Sequence, residues 1–106
     1  MIRFMRLLVF FDLPVTEKED RKTASNFRKF LLGDGFYMVQ FSVYCRICNG
    51  HDSVKVHEKR IKNNLPSKGS VRTLIVTENQ YNSMGFLVGN KRPNEKKYDE
   101  NQISFF

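Results

Sequence analysis

Few cysteines and no long apolar run set the first limits on this chain of 106 residues. Two cysteines cannot build the multi-bridge framework that small secreted domains use in place of a large core. No stretch approaches the ~20 apolar residues that a membrane-spanning helix needs. The short apolar run after Met1-Ile2-Arg3 resembles the core of a signal peptide, yet it ends in Asp12-Leu13-Pro14 without a small-residue cleavage site, so the expected location is the cytoplasm. Acidic residues are scarce as well. Against 18 Lys and Arg there are 11 Asp and Glu, a net charge of +7. A small basic domain points to a polyanionic partner, most simply nucleic acid. Internal repeats and low-complexity segments are missing. The 41% hydrophobic content and ten Phe suit one globular domain over residues 1–106 with one modest core.

The chain is organised around Leu7-Leu8-Val9-Phe10-Phe11, an unbroken apolar run that reads as a strand buried on both faces at the centre of a sheet. Proline cannot donate to a ladder, so Leu13-Pro14 should stop this strand and leave Asp12 at the sheet's edge. There Asp12 reads either as a site of chemistry or as a cap on the following turn.

Thr16-x-x-Glu19 reads as a capping box opening a helix whose inner face carries Ala24, Phe27, Phe30 and Leu31. Arg21, Lys22, Arg28 and Lys29 then face outward, and Gly33-Asp34-Gly35 ends the helix. This basic surface can grip phosphate or simply face solvent. Residues 36–47 alternate as one long strand, with Tyr37, Val39, Phe41, Val43 and Cys45 opposite Met38, Gln40, Ser42, Tyr44 and Arg46. Tyr44 and Arg46 can stack on bases, bind phosphate or cover a neighbouring subunit. Cys45-x-x-Cys48 with His51 and His57 invites a zinc reading, but the histidine spacing is poor and Cys45 falls on the core face.

A second helix is expected over 53–65, with Val54, His57, Ile61 and Leu65 inward and Lys55, Lys59, Arg60 and Lys62 outward. Ser70 to Thr77 alternates with apolar residues on both faces, which predicts another interior strand. A polar turn or short helical turn follows at Glu78–Met84, then a short strand at Gly85–Gly89. Residues 90–106 read as a basic arm with Lys91 and Arg92, ending in an apolar tail of Ile103, Phe105 and Phe106. Such a tail needs burial, and the sheet edge of another protomer is a natural place. The element order fits βαβαββ or βαββαβ, and an α+β, ferredoxin-like sandwich accommodates it best: one antiparallel sheet covered by two helices.

Several segments now coincide: the strand ending in Asp12-Leu13-Pro14, the basic helix, Gln40-Phe41-Ser42-Val43-Tyr44, and Gly69-Ser70-Val71-Arg72-Thr73-Leu74-Ile75-Val76-Thr77-Glu78-Asn79-Gln80-Tyr81. In order and spacing the chain resembles the CRISPR-associated Cas two family, the small subunit of the spacer-acquisition complex. Its arm and tail look most like the variant accompanying type II systems. The resemblance implies a ferredoxin-like homodimer in which the C-terminal strand joins the partner's sheet. It implies a scaffold that binds double-stranded DNA and bridges dimers of the Cas one integrase. Some members are described as magnesium- or manganese-dependent endonucleases acting on RNA or DNA. On that pattern Asp12 is the catalytic and metal-holding residue, with two copies facing each other across the dimer axis. Arg21, Lys22, Arg46, Lys91 and Arg92 are the candidate nucleic-acid contacts, and Ile103, Phe105 and Phe106 the partner contacts. One carboxylate per subunit is a thin site, and no second acid or base stands beside it in sequence. A ferredoxin-like RNA-binding module and a toxin-type ribonuclease are the alternatives; the Gly-Phe-aromatic motif of the former is missing here.

Overall fold

The computed structural model describes residues 3–89. Their order is β1 (Phe4–Asp12), α1 (Lys18–Gly33), β2 (Tyr37–Gln40), β3 (Val43–Asn49), α2 (Gly50–Lys62), β4 (Ser70–Thr77) and α3 (Glu78–Asn82). The strands form one antiparallel sheet in the order β2-β3-β1-β4. This is the ferredoxin-like α+β arrangement in its βαββαβ form, extended by a short third helix. β1 pairs on both sides, with β3 and β4, and its side chains enter apolar clusters on both faces of the sheet, which accounts for its unbroken apolar run.

The faces of the sheet differ. Met5, Leu7, Val9 and Phe11 of β1 pack with Phe27 and Leu31 of α1 and with Val54 and Ile61 of α2. This is the main core, and Leu7, Val9 and Leu31 are fully buried in it. Phe11 meets Phe27 edge-on at 5.3 Å between ring centroids. The opposite face holds a smaller cluster of Leu8, Tyr37, Val39, Cys45 and Tyr81.

Several boundaries differ from the sequence reading. The expected single strand over 36–47 is a hairpin: β2 and β3 pair antiparallel, and Ser42 turns the chain at φ 64°. Tyr37 still pairs with Cys45, so the alternation of faces survives the turn, and Phe41 at the tip is the exception. The capping interaction of α1 sits one residue later than Thr16/Glu19. The Glu17 backbone N–H donates to Asp20 Oδ2 at 3.4 Å, while the Thr16 carbonyl accepts from Arg21. α2 runs three residues earlier than expected, and Leu65 lies outside it, half exposed. β4 is an outer strand among the described residues, not an interior one. Residues 85–89 form no strand, and Leu87 and Val88 are almost fully exposed. The arm and tail of residues 90–106, with Lys91, Arg92, Ile103, Phe105 and Phe106, lie outside the described residues.

Candidate functional site

Asp12 is the last residue of β1, and its side chain is exposed at the end of the less covered sheet face. Three features hold it there. Leu13-Pro14 ends the strand. Asp12 is in register with Ser70 of β4. Gly69, at φ +91°, lies so close that a Cβ there would fall 2.5 Å from the Asp12 carbonyl oxygen. On the other side, the Phe11 N–H donates to the Ser42 carbonyl at 3.0 Å, stitching the β2–β3 tip to the strand next to Asp12.

These segments enclose an open hollow of about 400 Å³ lined by Phe10, Asp12, Phe41, Ser42, Ser70 and Arg72, among others. Arg72 lies opposite Phe10 in the β1–β4 register, so it shares the face of Asp12. Neither Asp12 nor Arg72 makes a side-chain hydrogen bond or ion pair among the described residues. Among the described residues, both Asp12 carboxylate oxygens are without a partner.

No group of three His, Cys, Asp or Glu side chains gathers as a metal cluster among the described residues. The zinc reading fails on strand geometry. Cys45 and Cys48 are three apart on β3, so they point to opposite faces, Cys45 into the smaller cluster and Cys48 into the main core. Burial pushes the Cys45 thiol up to about 11 and raises Cys48 as well, so both remain neutral packing residues. The donor set at Asp12, one carboxylate beside two serine hydroxyls, fits a hard cation that keeps most of its waters. Magnesium is such a cation, and it commonly takes only one or two protein carboxylates.

The predicted basic residues are scattered. Lys22 is exposed on α1. Arg21 is exposed too, yet its Nη1 donates to the Val15 and Thr16 carbonyls at 3.2 and 2.9 Å, bracing the loop after β1. Arg46 is half-buried and donates from Nε to the Asp34 carbonyl at 2.8 Å and from Nη1 to the Ile47 carbonyl at 2.6 Å. Its guanidinium anchors the chain around Gly35 and is turned toward protein. Tyr44 is buried in the main core.

Sequence reasoning missed a buried polar centre on the smaller-cluster face. Arg6 is 1% exposed and forms a two-pronged pair with Glu78, Nε to Oε1 at 2.6 Å and Nη2 to Oε2 at 2.7 Å. It also donates to the Tyr37 hydroxyl and lies 4.3 Å from the centroid of the Tyr81 ring. Burial is the largest influence and opposes the charge on Arg6, but the bond to Glu78 together with the neighbouring Tyr37, Cys45 and Glu78 groups holds the guanidinium above its ordinary value. One signal was in view: a lone arginine inside an apolar strand requires a buried partner. A second unpredicted cluster joins the helices. Asp34 Oδ2 meets His57 Nδ1 at 2.8 Å, and Asp34 Oδ1 accepts from Arg60 at 2.7 Å.

The fold and site together define a ferredoxin-like domain with an exposed carboxylate at the end of its central strand. Residues 5–84 match the family model described as CRISPR associated protein Cas2. The chain is 56% identical over 102 residues to a "CRISPR-associated endoribonuclease Cas2" of Acidovorax ebreus, covering 96% of this chain and all of the relative. A protein of the same name from Ligilactobacillus salivarius is 54% identical, covering 82% of this chain and 86% of its own. Another, from Campylobacter jejuni, is 44% identical, covering 98% and 73%. The chain belongs to the Cas2 family. No helix among the described residues is long and apolar enough to cross a membrane.

Proposed function

We propose that this protein is a homodimeric scaffold of CRISPR spacer acquisition that binds double-stranded DNA and bridges dimers of an integrase. The observation that carries this reading is β4. Eight residues long, it is an outer strand among the described residues, and Leu74 and Ile75 on its two faces are 49% and 38% exposed. A long apolar outer strand is a template for pairing with further chain. The tail of Ile103, Phe105 and Phe106 is the segment suited to it, added from a second protomer. Exposed Lys22, Lys29, Lys55, Lys59 and Lys62 on α1 and α2 supply the sequence-independent attraction for a duplex.

A second activity, metal-dependent phosphodiester cleavage at Asp12, is favoured by the exposed carboxylate beside Arg72, which has no side-chain partner among the described residues, and by the names of the relatives. Asp12 would hold magnesium or manganese, shared with the partner's copy across the dimer axis. Bound there, such an ion supplies charge neutralisation and an activated water. Arg72 offers a guanidinium to a phosphate entering the same hollow. Gly69 and the Phe11–Ser42 bond hold the backbone of the strand end at Asp12, so a substrate need not reorganise it.

Asp12→Asn separates the two activities. It removes the charge that holds a hard cation and nearly preserves shape. Cleavage of labelled RNA and DNA in magnesium should fall at least a hundredfold, while integration of a short duplex by the integrase complex persists. Loss of integration at unchanged dimerisation would overturn the scaffold reading. Cleavage undiminished in the variant, or in chelator, would overturn the role of Asp12.

A further inference from the structure

We propose that the groove between α1 and the connection from α2 to β4 is a docking site for a partner protein. It takes a short segment in which a large apolar side chain stands about three residues from a Lys or Arg. The groove lies apart from the hollow at Asp12, and its role holds whether or not that hollow cleaves nucleic acid.

The groove follows from how α2 ends. The helix stops at Lys62, and Asn63-Asn64-Leu65-Pro66 carries the chain past the flank of α1. This turn is fixed. The Asn64 N–H donates to the Ile61 carbonyl and its Nδ2 donates to the Arg60 carbonyl, both at 2.9 Å, while the ring of Pro66 locks φ. Leu65 is thereby left 51% exposed instead of extending the inner stripe of the helix. With Phe27 and Phe30 of α1 it walls a hollow of about 190 Å³. Phe30 is half-buried and stacks on Phe27 at 6.3 Å between ring centroids. A second hollow of about 180 Å³ shares Thr23 with the first and reaches Leu13, Glu19, Asp20 and Lys68. Both hollows are lined by α1, so the groove opens on the helix-covered side of the sheet.

Asp20 names the charge of the occupant. Its side chain is only 11% exposed, yet both of its polar contacts are long. Oδ2 accepts the Glu17 N–H at 3.4 Å, and Oδ1 stands 3.5 Å from Lys68 Nζ. The other covered carboxylates of this protein hold their cations closely, Glu78 to Arg6 at 2.6 and 2.7 Å and Asp34 to Arg60 at 2.7 Å. A charge-assisted bond with free geometry closes to about 2.7–2.9 Å, so Asp20 has capacity for a better donor. Lys68, 66% exposed, is a loose stopper that such a donor displaces. Glu19 adds an exposed carboxylate with no side-chain partner among the described residues. Two carboxylates at one end of a groove on a chain of net charge +7 repel a phosphate backbone and attract a basic side chain, which makes the occupant a protein. The apolar end around Phe30 and Leu65 takes the anchor. Asp20 and Phe27 are two helical turns apart, roughly 10 Å, a span that an extended segment covers with about three residues.

The test is a nuclear magnetic resonance titration of the isotope-labelled full-length protein. The probes are the end-blocked peptide Arg-Arg-Ser-Ser-Leu-Phe, its reverse, and a control with Glu in place of both Arg. At least one basic peptide should move the amides of Asp20, Thr23, Asn26 and Leu65, and the acidic control should not. Asp20→Asn keeps an acceptor for the Glu17 N–H and should weaken binding about tenfold, the worth of one bond to a charged group. Leu65→Ser, at a half-exposed position, should weaken it about fivefold. Lys68→Ala should strengthen it about threefold by removing the competing ammonium, a gain that a purely structural lysine does not give. The docking site is overturned if neither basic peptide binds at millimolar concentration, or if the acidic control binds as well. It is overturned too if the moved amides lie elsewhere, or if Asp20→Asn and Leu65→Ser bind like the parent while unfolding at its temperature. A short DNA duplex that moves the same amides assigns the groove to nucleic acid instead. Loss of self-association in Leu65→Ser by sedimentation assigns it to a second copy of this chain; either result ends the proposal.

Discussion

Odd and even residues of β1 live in different surroundings. Leu7 and Val9 are fully buried beneath α1 and α2, while Phe10 and Asp12, on the other face, reach solvent. The same strand thus builds the main core with its odd side chains, while its even side chains go from buried Arg6 and Leu8 to exposed Phe10 and Asp12 at the strand end. A rigid central strand allows this, because the pleat sends neighbours to opposite sides. Core residues and the candidate site residues are one position apart, yet they are expected to separate cleanly on mutation.

The largest expected effect lies on the helix-covered face. Leu7→Ala leaves a cavity among Phe27, Leu31, Val54 and their neighbours, where it cannot collapse easily. It should cost about 3–4 kcal/mol, read as a lower urea midpoint at unchanged slope. Asp12→Asn should shift the same midpoint very little. Equal losses would break the division between the faces.

Next comes the polar centre on the other face. Glu78→Gln leaves the buried Arg6 without its counter-charge and should destabilise by about 3 kcal/mol. The double variant Arg6→Met with Glu78→Leu should recover much of that loss, because the uncompensated charge is gone. A double variant as unstable as the single one would show that the pair itself supplies stability here. Tyr37 and Tyr81 lie against Arg6, so near-ultraviolet circular dichroism would report whether α3 still docks.

The smallest expected effect is on pH dependence at the helix junction. Burial alone would raise the Asp34 carboxyl, but the His57 and Arg60 hydrogen bonds outweigh it and hold it below its ordinary value. A depressed folded pKa means that the carboxylate stabilises the fold above the unfolded-state value, and that this contribution disappears as pH falls through the folded value. Thermal unfolding between pH 6 and pH 2 should therefore show an acid-side decline that is shallower in Asp34→Asn. A decline of equal steepness in both proteins would assign the acid sensitivity elsewhere.

Much of this was legible in the chain. The apolar run of β1, its stop at Leu13-Pro14 and the inward stripe of Ala24, Phe27 and Leu31 follow from local pattern. So does the helix end at Gly33-Asp34-Gly35. The hairpin was not legible, because Gln40-Phe41-Ser42-Val43 contains no Gly, Pro, Asn or Asp and the alternation continues across it. The turn is imposed by pairing between β2 and β3 and by the Phe11–Ser42 bond, which are contacts made after the chain has folded. The strand-end position of Asp12 was legible from the Leu13-Pro14 that follows it. Phe41 and Arg72 were not seen beside it, since residues 29 and 60 positions from Asp12 join it only through the sheet.

The division between sequence and structure follows from the range of the forces. Sequence alone determined most of the helices and strands and which side of β1 and α1 is apolar, because backbone geometry repeats every two or 3.6 residues and patterning must match it. It also determined the basic character of the domain. Tertiary structure alone decided that β4 is an outer strand among the described residues and that Arg6 finds Glu78 across 72 positions. It likewise decided that Arg46 turns inward to the Asp34 carbonyl while Arg72 stays available near Asp12. A charged side chain reads alike in sequence whether it faces water, a carbonyl or a buried carboxylate. Only the packed neighbours decide which of these it meets.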